Sequence, residues 1–301
     1  MVDAVIVGGG HNGLVAGTLL AREGWSVAVL ERSEHTGGAA ISERVFPGVD
    51  ARLSRYSYLV SLFPAALREE LGLTVELRPR QSLDRRSPEV VAWEERIARL
   101  AQATAPTLLE PLLSRDEFRA RIADEQTWED VFATPLGVAL ERDISDDGER
   151  GEVLTDALIG TFAAADDPAL RQNRCFLYHV IGNGTGRWDV PVGGMGRLTD
   201  ELSAAARDAG VEIRTQTEVT GLDTDGTQAE VSCADGCRLR ARHVLWAAAP
   251  TRLEALLADP DSAPQPDPEG AQLKINMLLG RLPRLLEPGL SPEDAFTGTF
   301  H

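Results

Sequence analysis

A glycine loop that directly follows an apolar run at the start of the chain constrains the fold more than any other feature. Residues 4–7 predict a buried strand, and three glycines then follow in the order G-x-G-x-x-G, namely Gly8, Gly10 and Gly13. In this motif the first glycine permits a tight turn, the second lets the backbone approach a diphosphate, and the third lets the next helix pack closely on the strand. Unpaired N–H groups at the start of that helix would face the phosphates. The pattern predicts a dinucleotide-binding β-α-β unit, with an ordinary strand-to-helix turn as the alternative.

An acidic residue stands at the end of the second predicted strand. The apolar run at residues 25–30 ends at Glu31, and Gly24 before it marks the end of the first helix. A carboxylate at this place accepts hydrogen bonds from ribose hydroxyls, whereas it would repel a 2′-phosphate. Strand, loop, helix, helix stop and second strand therefore occur in the order that a dinucleotide-binding unit requires.

Composition and charge exclude several classes of function. The chain has 301 residues, which suggests about two domains, and its formal net charge is -17 at pH 7. That charge argues against a nucleic-acid or anionic-membrane partner, because phosphate binding needs clustered cations. No apolar run approaches the roughly 18 residues of a membrane span, and the N-terminus lacks a basic leader. We expect a soluble cytoplasmic protein, or a mitochondrial matrix protein if the source is eukaryotic.

The three cysteines predict free thiols rather than a disulfide framework. Cys233 and Cys237 have C-x-x-x-C spacing, and the Asp235-Gly236 pair between them is typical of a hairpin turn. No histidine joins them to complete a metal site. A turn is therefore favoured over a redox or metal role.

Strand patterns return after a long helical region, so the chain divides into four predicted segments. These are a first nucleotide-binding segment (1–60), a helical substrate or cap region (61–185), a second nucleotide-binding segment (186–250) and the start of a further substrate-domain segment (251–301). Helices are predicted at 64–71, 90–113, 152–162 and 198–209, strands at 211–215, 218–222, 230–232, 238–240 and 272–279, and a flexible loop at 260–270. This alternation predicts an α/β, Rossmann-like domain built from separated segments, with a mainly helical insertion that covers the site.

Five features of the sequence occur together: the Gly-His-Asn-Gly form of the loop, the segments 31–38, 54–58 and 193–196, and the strands within 211–222. In combination they resemble the phytoene dehydrogenase-related FAD oxidoreductases, and most of all the group named for pyridine nucleotide-disulfide oxidoreductase domain-containing protein 2. Flavin amine oxidases share the architecture but usually lack the His11-Asn12 pair. The resemblance implies an FAD-binding domain of the glutathione-reductase or amine-oxidase type.

The resemblance also implies which residues bind the cofactor. They are Gly8, Gly10, His11, Asn12, Gly13, Glu31, Arg32, Gly37, Gly38, Gly194, Met195 and Val219. The loop would hold the FAD pyrophosphate, Glu31 the adenosine ribose, and the backbone of Val219 the adenine. Gly194 and Met195 would approach the flavin, with residues 247–250 on the opposite wall.

The implied activity is oxidation or desaturation of a hydrophobic organic molecule. A substrate carbon would give a hydride to flavin N5, and a quinone, oxygen or another acceptor would reoxidise the flavin. No second G-x-G-x-x-G follows a strand, so no separate NAD(P)H domain is predicted. No catalytic acid or base is assigned, because His11 and His179 favour packing or hydrogen-bonding roles, and residues 55–58 either line the substrate or pack.

Two departures from the family bear on function. Segment 79–94 is shorter than usual, and the family's C-terminal glycine-rich segment, which completes the flavin site, has no counterpart before His301. The sequence is therefore expected to be a fragment. One alternative function is a non-catalytic nucleotide- or partner-binding remnant, and a second is a flavin amine oxidase.

Overall fold

The computed structural model describes residues 1–79, 81–82, 86–184, 186, 188–258, 270, 272–284, 291–292 and 298–299. Two compact units divide the chain: the first comprises Met1–Leu59, Ala66–Leu77 and Pro191–Glu269, and the second comprises Val60–Ala65, Arg78–Val190 and Gly270–His301. The functional assignment of the four predicted segments stays a prediction. By its contacts Ala66–Leu77 belongs to the first unit, although it lies within the segment predicted as helical cap.

The described residues form strands and helices that alternate mainly in the first unit. The strands are β1 (Val2–Val7), β2 (Val27–Leu30), β3 (Ser42–Glu43), β4 (Leu53–Ser54), β5 (Leu77–Pro79), β6 (Gln81–Ser82), β7 (Asp189–Pro191), β8 (Glu212–Arg214), β9 (Val219–Thr224), β10 (Ala229–Cys233), β11 (Arg238–Trp246) and β12 (Gly298–Thr299). The helices are α1 (His11–Arg22), α2 (Ala65–Leu71), α3 (Pro88–Thr104), α4 (Arg115–Ile122), α5 (Glu125–Phe132), α6 (Leu136–Asp143), α7 (Asp147–Leu158), α8 (Arg171–Val180), α9 (Met195–Asp208) and α10 (Pro250–Leu257). Among these, no helix combines the length and apolarity needed to cross a bilayer.

The first unit is built around a six-stranded sheet with the order β8-β2-β1-β11-β10-β9. The first four strands are parallel, and β10 and β9 continue the sheet in antiparallel pairing. In this register Val5 lies between Ala28 on one side and Val244 on the other. Parallel strands with both faces covered are apolar along their length, which explains why residues 4–7 and 27–30 were recognisable from sequence. The predicted α/β fold of Rossmann type is confirmed.

Helix α1 covers one face of this sheet, and helix α9 packs on α1. A Cβ atom on Gly17 would lie 3.3 Å from Val29 Cγ2 and 3.4 Å from Ile6 Cδ1, so α1 lies almost directly on β1 and β2. Helix α9 contacts α1 through a face that buries Leu202 and Ala206. The alternate side chains point to the other face, where a second apolar cluster contains Val5, Val7, Ala28, Leu30, Val231, Cys233, Leu239 and Ala241.

The second unit is mainly helical and has its own core. The buried residues of this core come from helices α3 and α5 to α8 and from the α6–α7 connection; they are Val90, Trp93, Ile97, Leu100, Val131, Leu136, Ala139, Leu140, Ile144, Val153, Ala157 and Phe176. The rings of Trp93 and Phe176 contact each other with centroids 6.2 Å apart. The helical pattern of the sequence predicted the class of this region and the places of α3 and α7, but it did not predict α5, α6 or α8.

Helix ends differ from the predictions for local reasons. The helix predicted at 90–113 ends at Thr104, because Pro106 lacks the N–H that would continue it. The helix predicted at 152–162 is α7, which begins earlier because the Asp146 carboxylate accepts a hydrogen bond from the Glu149 N–H and so caps it. It stops before Gly160, which has φ +79°.

The strand predicted near the C-terminus is wrong. Residues 272–279 form no strand, and their apolar side chains are largely exposed, with Leu273 at 85%. Alternating apolar residues become a strand only where another strand supplies hydrogen bonds. The loop predicted at 260–270 lies outside the described residues except for Gly270. Farther along the chain, β12 pairs in parallel with β6.

One buried amide joins three elements of the helical unit. Asn173 of α8 is 1% exposed, and its Nδ2 donates to the carbonyls of Val131 at 3.0 Å and Thr134 at 2.7 Å. Its Oδ1 accepts from the Leu136 N–H at 3.0 Å. The side chain therefore satisfies backbone groups at the end of α5 and the start of α6, which burial would otherwise leave unpaired.

We expect the substitution Asn173→Ala to destabilise the protein by roughly 2–3 kcal/mol, because buried backbone donors and acceptors lose their partner. Chemical denaturation of the purified chain measures this loss. The exposed Gln102 of α3 provides a matched control, and Gln102→Ala should change stability by less than about 0.5 kcal/mol. Equal losses for the two variants would contradict the role assigned to Asn173.

Candidate functional site

The predicted glycine loop makes a sharp turn between β1 and α1. Gly8 has φ +110°, and a Cβ atom on it would lie 2.9 Å from backbone atoms of Ala247 and Ala248. A Cβ atom on Gly13 would lie only 2.0 Å from the Gly8 carbonyl oxygen. Both positions therefore require glycine for reasons internal to the protein. The contact at Gly8 also places residues 247–248 beside the loop.

Gly10 differs from the other two glycines because the surrounding protein does not require it. Its φ of -73° and ψ of 177° suit any residue. A Cβ atom there would meet, among the described residues, only the Gly38 Cα at 3.9 Å. The space above Gly10 is therefore open, and a ligand that approaches the backbone explains a glycine at this position.

The start of α1 supplies hydrogen-bond donors to the same space. The helix has no side-chain cap, and its first backbone bond runs from the Leu14 N–H to the Gly10 carbonyl at 3.0 Å. The N–H groups that precede Leu14 lack an intrahelical acceptor, and the helix dipole favours negative charge at this end. Uncapped donors beside an open backbone surface fit a diphosphate. His11 and Asn12, both exposed, are the first residues of this helix.

Desolvation lowers the pKa of the His11 imidazole from its ordinary value, even though the residue as a whole is exposed. The neutral imidazole therefore predominates near pH 7. In this form it offers one N–H donor and one acceptor. This state suits a hydrogen-bonding role beside the loop.

Glu31 is buried at the end of β2, with 8% of its surface exposed. Its Oε2 accepts from the Gly9 N–H at 2.8 Å, and its Oε1 accepts from the Ser33 N–H at 2.8 Å. Each carboxylate oxygen retains a lone pair for a further donor such as a ribose hydroxyl. Glu31 thus fixes the shape of the glycine loop, a role that the spacing of the motif did not reveal. Arg32, the next residue, is exposed.

The second glycine pair lies against the first loop. The Gly37 N–H donates to the Gly9 carbonyl at 2.8 Å, and Gly37 forms a parallel bridge with Gly10. A Cβ atom on Gly38 would lie 3.2 Å from the Gly10 Cα, so a side chain there would press on the loop. The structure therefore brings these two sequence-predicted glycine segments into direct contact.

The start of α9, which carries Gly194 and Met195, is tied to the chain just beyond this glycine pair. The Gly196 N–H donates to Ser42 Oγ at 2.9 Å, and Thr199 Oγ1 donates to the Ala40 carbonyl at 3.2 Å. Met195 itself is 5% exposed. Sequence reasoning missed Ser42 and Thr199, since no spacing pattern links residues so far apart in the chain.

Val219 is the first residue of β9 and follows a segment that is hydrogen-bonded to Glu31. The Thr217 N–H donates to the Glu31 carbonyl at 2.8 Å, which places the following residues beside the end of β2. Val219 pairs with Cys233 of β10 and packs against the apolar cluster beneath the sheet. All twelve residues implied by the resemblance belong to the first unit.

Other candidate residues are explained by local contacts. The Arg55 guanidinium lies over the Tyr56 ring, 5.2 Å from its centroid, and pairs with Glu43 at 3.5 Å. In the second unit His179 Nδ1 lies 2.9 Å from the Cys175 carbonyl oxygen, and its ring stacks on Trp188 with centroids 4.8 Å apart. His179 is therefore a packed, hydrogen-bonded histidine, as its sequence context predicts.

Comparison with known proteins gives one family and several relatives. The family described as flavin containing amine oxidoreductase matches residues 13–278. An uncharacterised protein of Mycobacterium tuberculosis is 42% identical over 99% of this chain and 63% of its own length. Pyridine nucleotide-disulfide oxidoreductase domain-containing protein 2 of Mus musculus is 28% identical over 97% of this chain and 62% of its own length. The chain thus spans less than two thirds of these relatives.

The fold is also found among solved structures. Putrescine oxidase bound to putrescine has a TM-score of 0.56 and 21% sequence identity, over 85% of this chain and 60% of that chain. At this identity the likeness concerns the fold. The predicted similarity to the pyridine nucleotide-disulfide oxidoreductase domain-containing protein 2 group is confirmed by the mouse relative. The family match confirms the predicted cofactor, FAD. Because this match extends over most of the sequence, the chain belongs to the flavin-containing amine oxidoreductase family.

Proposed function

We propose that this protein is an FAD-dependent oxidoreductase that oxidises a hydrophobic organic substrate. The observation that carries the proposal is the open backbone surface at Gly10, which lies between the uncapped start of α1 and Gly38. A bare backbone with free N–H groups is suited to a diphosphate and has no structural purpose of its own. Family membership supports a flavin as the group that carries this diphosphate.

The proposed binding roles follow the order of the elements along the site. The N–H groups of His11, Asn12 and Gly13 hold the diphosphate, and Glu31 accepts hydrogen bonds from the adenosine ribose. Val219 meets the adenine through its backbone, and Arg32 adds a positive charge near the same end. The remaining residues, Gly37, Gly38, Gly194 and Met195, let the chain pass close to the ribityl and flavin part.

When bound, FAD supplies the redox chemistry by taking a hydride from a substrate carbon. The residues of this chain bind the cofactor, orient it and exclude water around it. His11 serves as a hydrogen-bonding group at the phosphate end; desolvation by the protein lowers the pKa of its imidazole, whereas the negative charge of a diphosphate acts in the opposite direction. We propose a quinone or oxygen as the electron acceptor, and a cytoplasmic location is consistent with the three free thiols.

The resemblance to phytoene dehydrogenase-related enzymes supports a hydrophobic substrate that is oxidised or desaturated. A second candidate, oxidation of an amine, is favoured by the family match and by the fold shared with putrescine oxidase. Anaerobic mixing of the flavin-loaded protein with a long polyene or with an aliphatic diamine distinguishes them. The substrate that bleaches the oxidised flavin absorbance identifies the class, and bleaching by the diamine alone would overturn the hydrophobic assignment.

We expect the purified chain to take up FAD and to be stabilised by it. Binding to the folded state alone should raise stability by about 2.7 kcal/mol when free FAD is a hundredfold above its dissociation constant. Visible absorbance after gel filtration and thermal unfolding with and without FAD measure this, with NADP⁺ as the control ligand. A colourless protein whose unfolding is unchanged by FAD would favour the non-catalytic alternative.

Gly10→Ala tests the proposed diphosphate site and should leave the fold of the protein unchanged. Because a Cβ atom at Gly10 has 3.9 Å of clearance, stability without FAD should remain within about 1 kcal/mol of the parent. The methyl group occupies the space proposed for the diphosphate, so FAD affinity should fall at least about tenfold, or 1.4 kcal/mol. Fluorescence titration measures the affinity, and Gly151→Ala, with nothing within 4 Å, is the control. Unchanged affinity in Gly10→Ala would place the diphosphate elsewhere.

Glu31→Gln tests the ribose contact. The amide loses the negative charge and one of the two acceptor oxygens, so FAD affinity should fall by roughly 1.5–3 kcal/mol. Glu34→Gln is the matched control, because Glu34 is exposed and only three residues away. Isothermal titration calorimetry of both variants with FAD measures the two affinities. Equal affinities for the two variants would show that Glu31 serves the loop alone.

A further inference from the structure

The turn between β10 and β11 brings two thiols and a carboxylate together. Cys233, Asp235 and Cys237 each offer one ligand atom, and these three atoms lie within 4.8 Å of one another. Backbone bonds fix the turn, with the Gly236 N–H donating to the Cys233 carbonyl at 3.0 Å and the Cys233 N–H donating to the Cys237 carbonyl at 2.9 Å. The thiols are therefore held near each other by a regular hairpin that requires no ligand to form.

We propose that these three residues, the hairpin thiol site, bind a thiophilic divalent cation such as Zn²⁺. With zinc–sulfur bonds of about 2.3 Å and tetrahedral angles, two sulfur ligands stand about 3.8 Å apart, which the observed cluster accommodates. Two thiolates and a carboxylate are donors that zinc prefers, and water completes the fourth position. Asp235 accepts from the Cys237 N–H at 2.9 Å through Oδ1, and one carboxylate oxygen of this residue is the third ligand atom of the cluster.

A guanidinium beside the cluster balances its charge. Arg214 Nη1 lies 3.3 Å from Cys237 Sγ. Two thiolates and one carboxylate carry three negative charges, and the divalent cation with Arg214 carries three positive charges. The guanidinium then acts as an outer partner that donates to a metal-bound sulfur and orients it. Binding breaks two S–H bonds, forms two metal–sulfur bonds and releases two protons to solvent, with no transfer of electrons.

The hairpin thiol site is joined to the adenosine end of the proposed cofactor site. Cys233 pairs with Val219, and the Arg214 carbonyl accepts from the Glu31 N–H at 2.8 Å. An ion bound to Cys233 and Cys237 therefore restrains Val219 and Glu31, the two residues proposed to contact the adenosine. This coupling rests on the proposed function, and it should make FAD bind about fivefold more tightly in the presence of Zn²⁺, the lower end of usual coupling.

The test uses the full, reduced, metal-free chain without FAD. Equilibrium dialysis against Zn²⁺ should show one ion per chain, and titration with Cd²⁺ should produce the ultraviolet absorbance of cadmium–thiolate bonds. Cys233→Ser and Cys237→Ser should each weaken binding more than about 100-fold, since even losing an outer partner costs 10–100-fold. Asp235→Asn keeps one oxygen ligand but loses the negative charge, so it should weaken binding by at least about tenfold. Cys175→Ser, at the cysteine of the other unit, is the control and should bind as the parent does.

Several outcomes would overturn the proposal. They are the absence of bound Zn²⁺, the absence of cadmium–thiolate absorbance in the parent protein, and unchanged affinity in both hairpin cysteine variants. The cadmium absorbance needs no substitution, so it decides the proposal even if a variant fails to fold. A parent that binds Zn²⁺ but not FAD would defeat the proposed function and leave the metal site standing. Zn²⁺ and FAD bound independently would defeat the coupling alone.

Discussion

The contact between Gly13 and the Gly8 carbonyl is the constraint on which the first unit depends. With a Cβ position only 2.0 Å from that oxygen, no side chain can stand at Gly13 while the turn keeps its shape. The turn sets the angle at which α1 leaves β1, and that angle lets Gly17 rest on Val29 and Ile6. Helix α9 then packs on α1. A single backbone approach thus positions the helical layer that covers one face of the sheet.

The same hydrogen bonds serve both the fold and the candidate site. Glu31 holds the Gly9 N–H, and the Gly9 carbonyl holds the Gly37 N–H. The glycine segments are therefore arranged before any ligand arrives. These hydrogen bonds restrict the conformations of the loop, and preorganisation of this kind lowers the entropy lost on binding. The acid at the end of β2 therefore holds the glycine loop in shape, in addition to the ribose contact that we propose for it.

Those parts of the fold that depend on neighbours in sequence were predictable, and those that depend on distant partners were not. Strands β1 and β2, the glycine loop and the place of Glu31 beside it follow from apolar runs and motif spacing. The contacts of Ser42 with Gly196 and of Ala40 with Thr199 hold the start of α9 and join segments more than a hundred residues apart, and no local pattern encodes them. Residues 272–279 have a strand-like sequence pattern but form no strand, because a strand also needs a neighbouring strand with which to form hydrogen bonds.

The sheet order has a consequence for biosynthesis. Strand β1 lies between β2, which follows it closely in sequence, and β11, which comes more than 200 residues later. A ribosome makes the chain from its amino end, so one edge of β1 waits until β11 has emerged. During that interval an apolar strand carries unpaired backbone groups, a condition that promotes association between nascent chains.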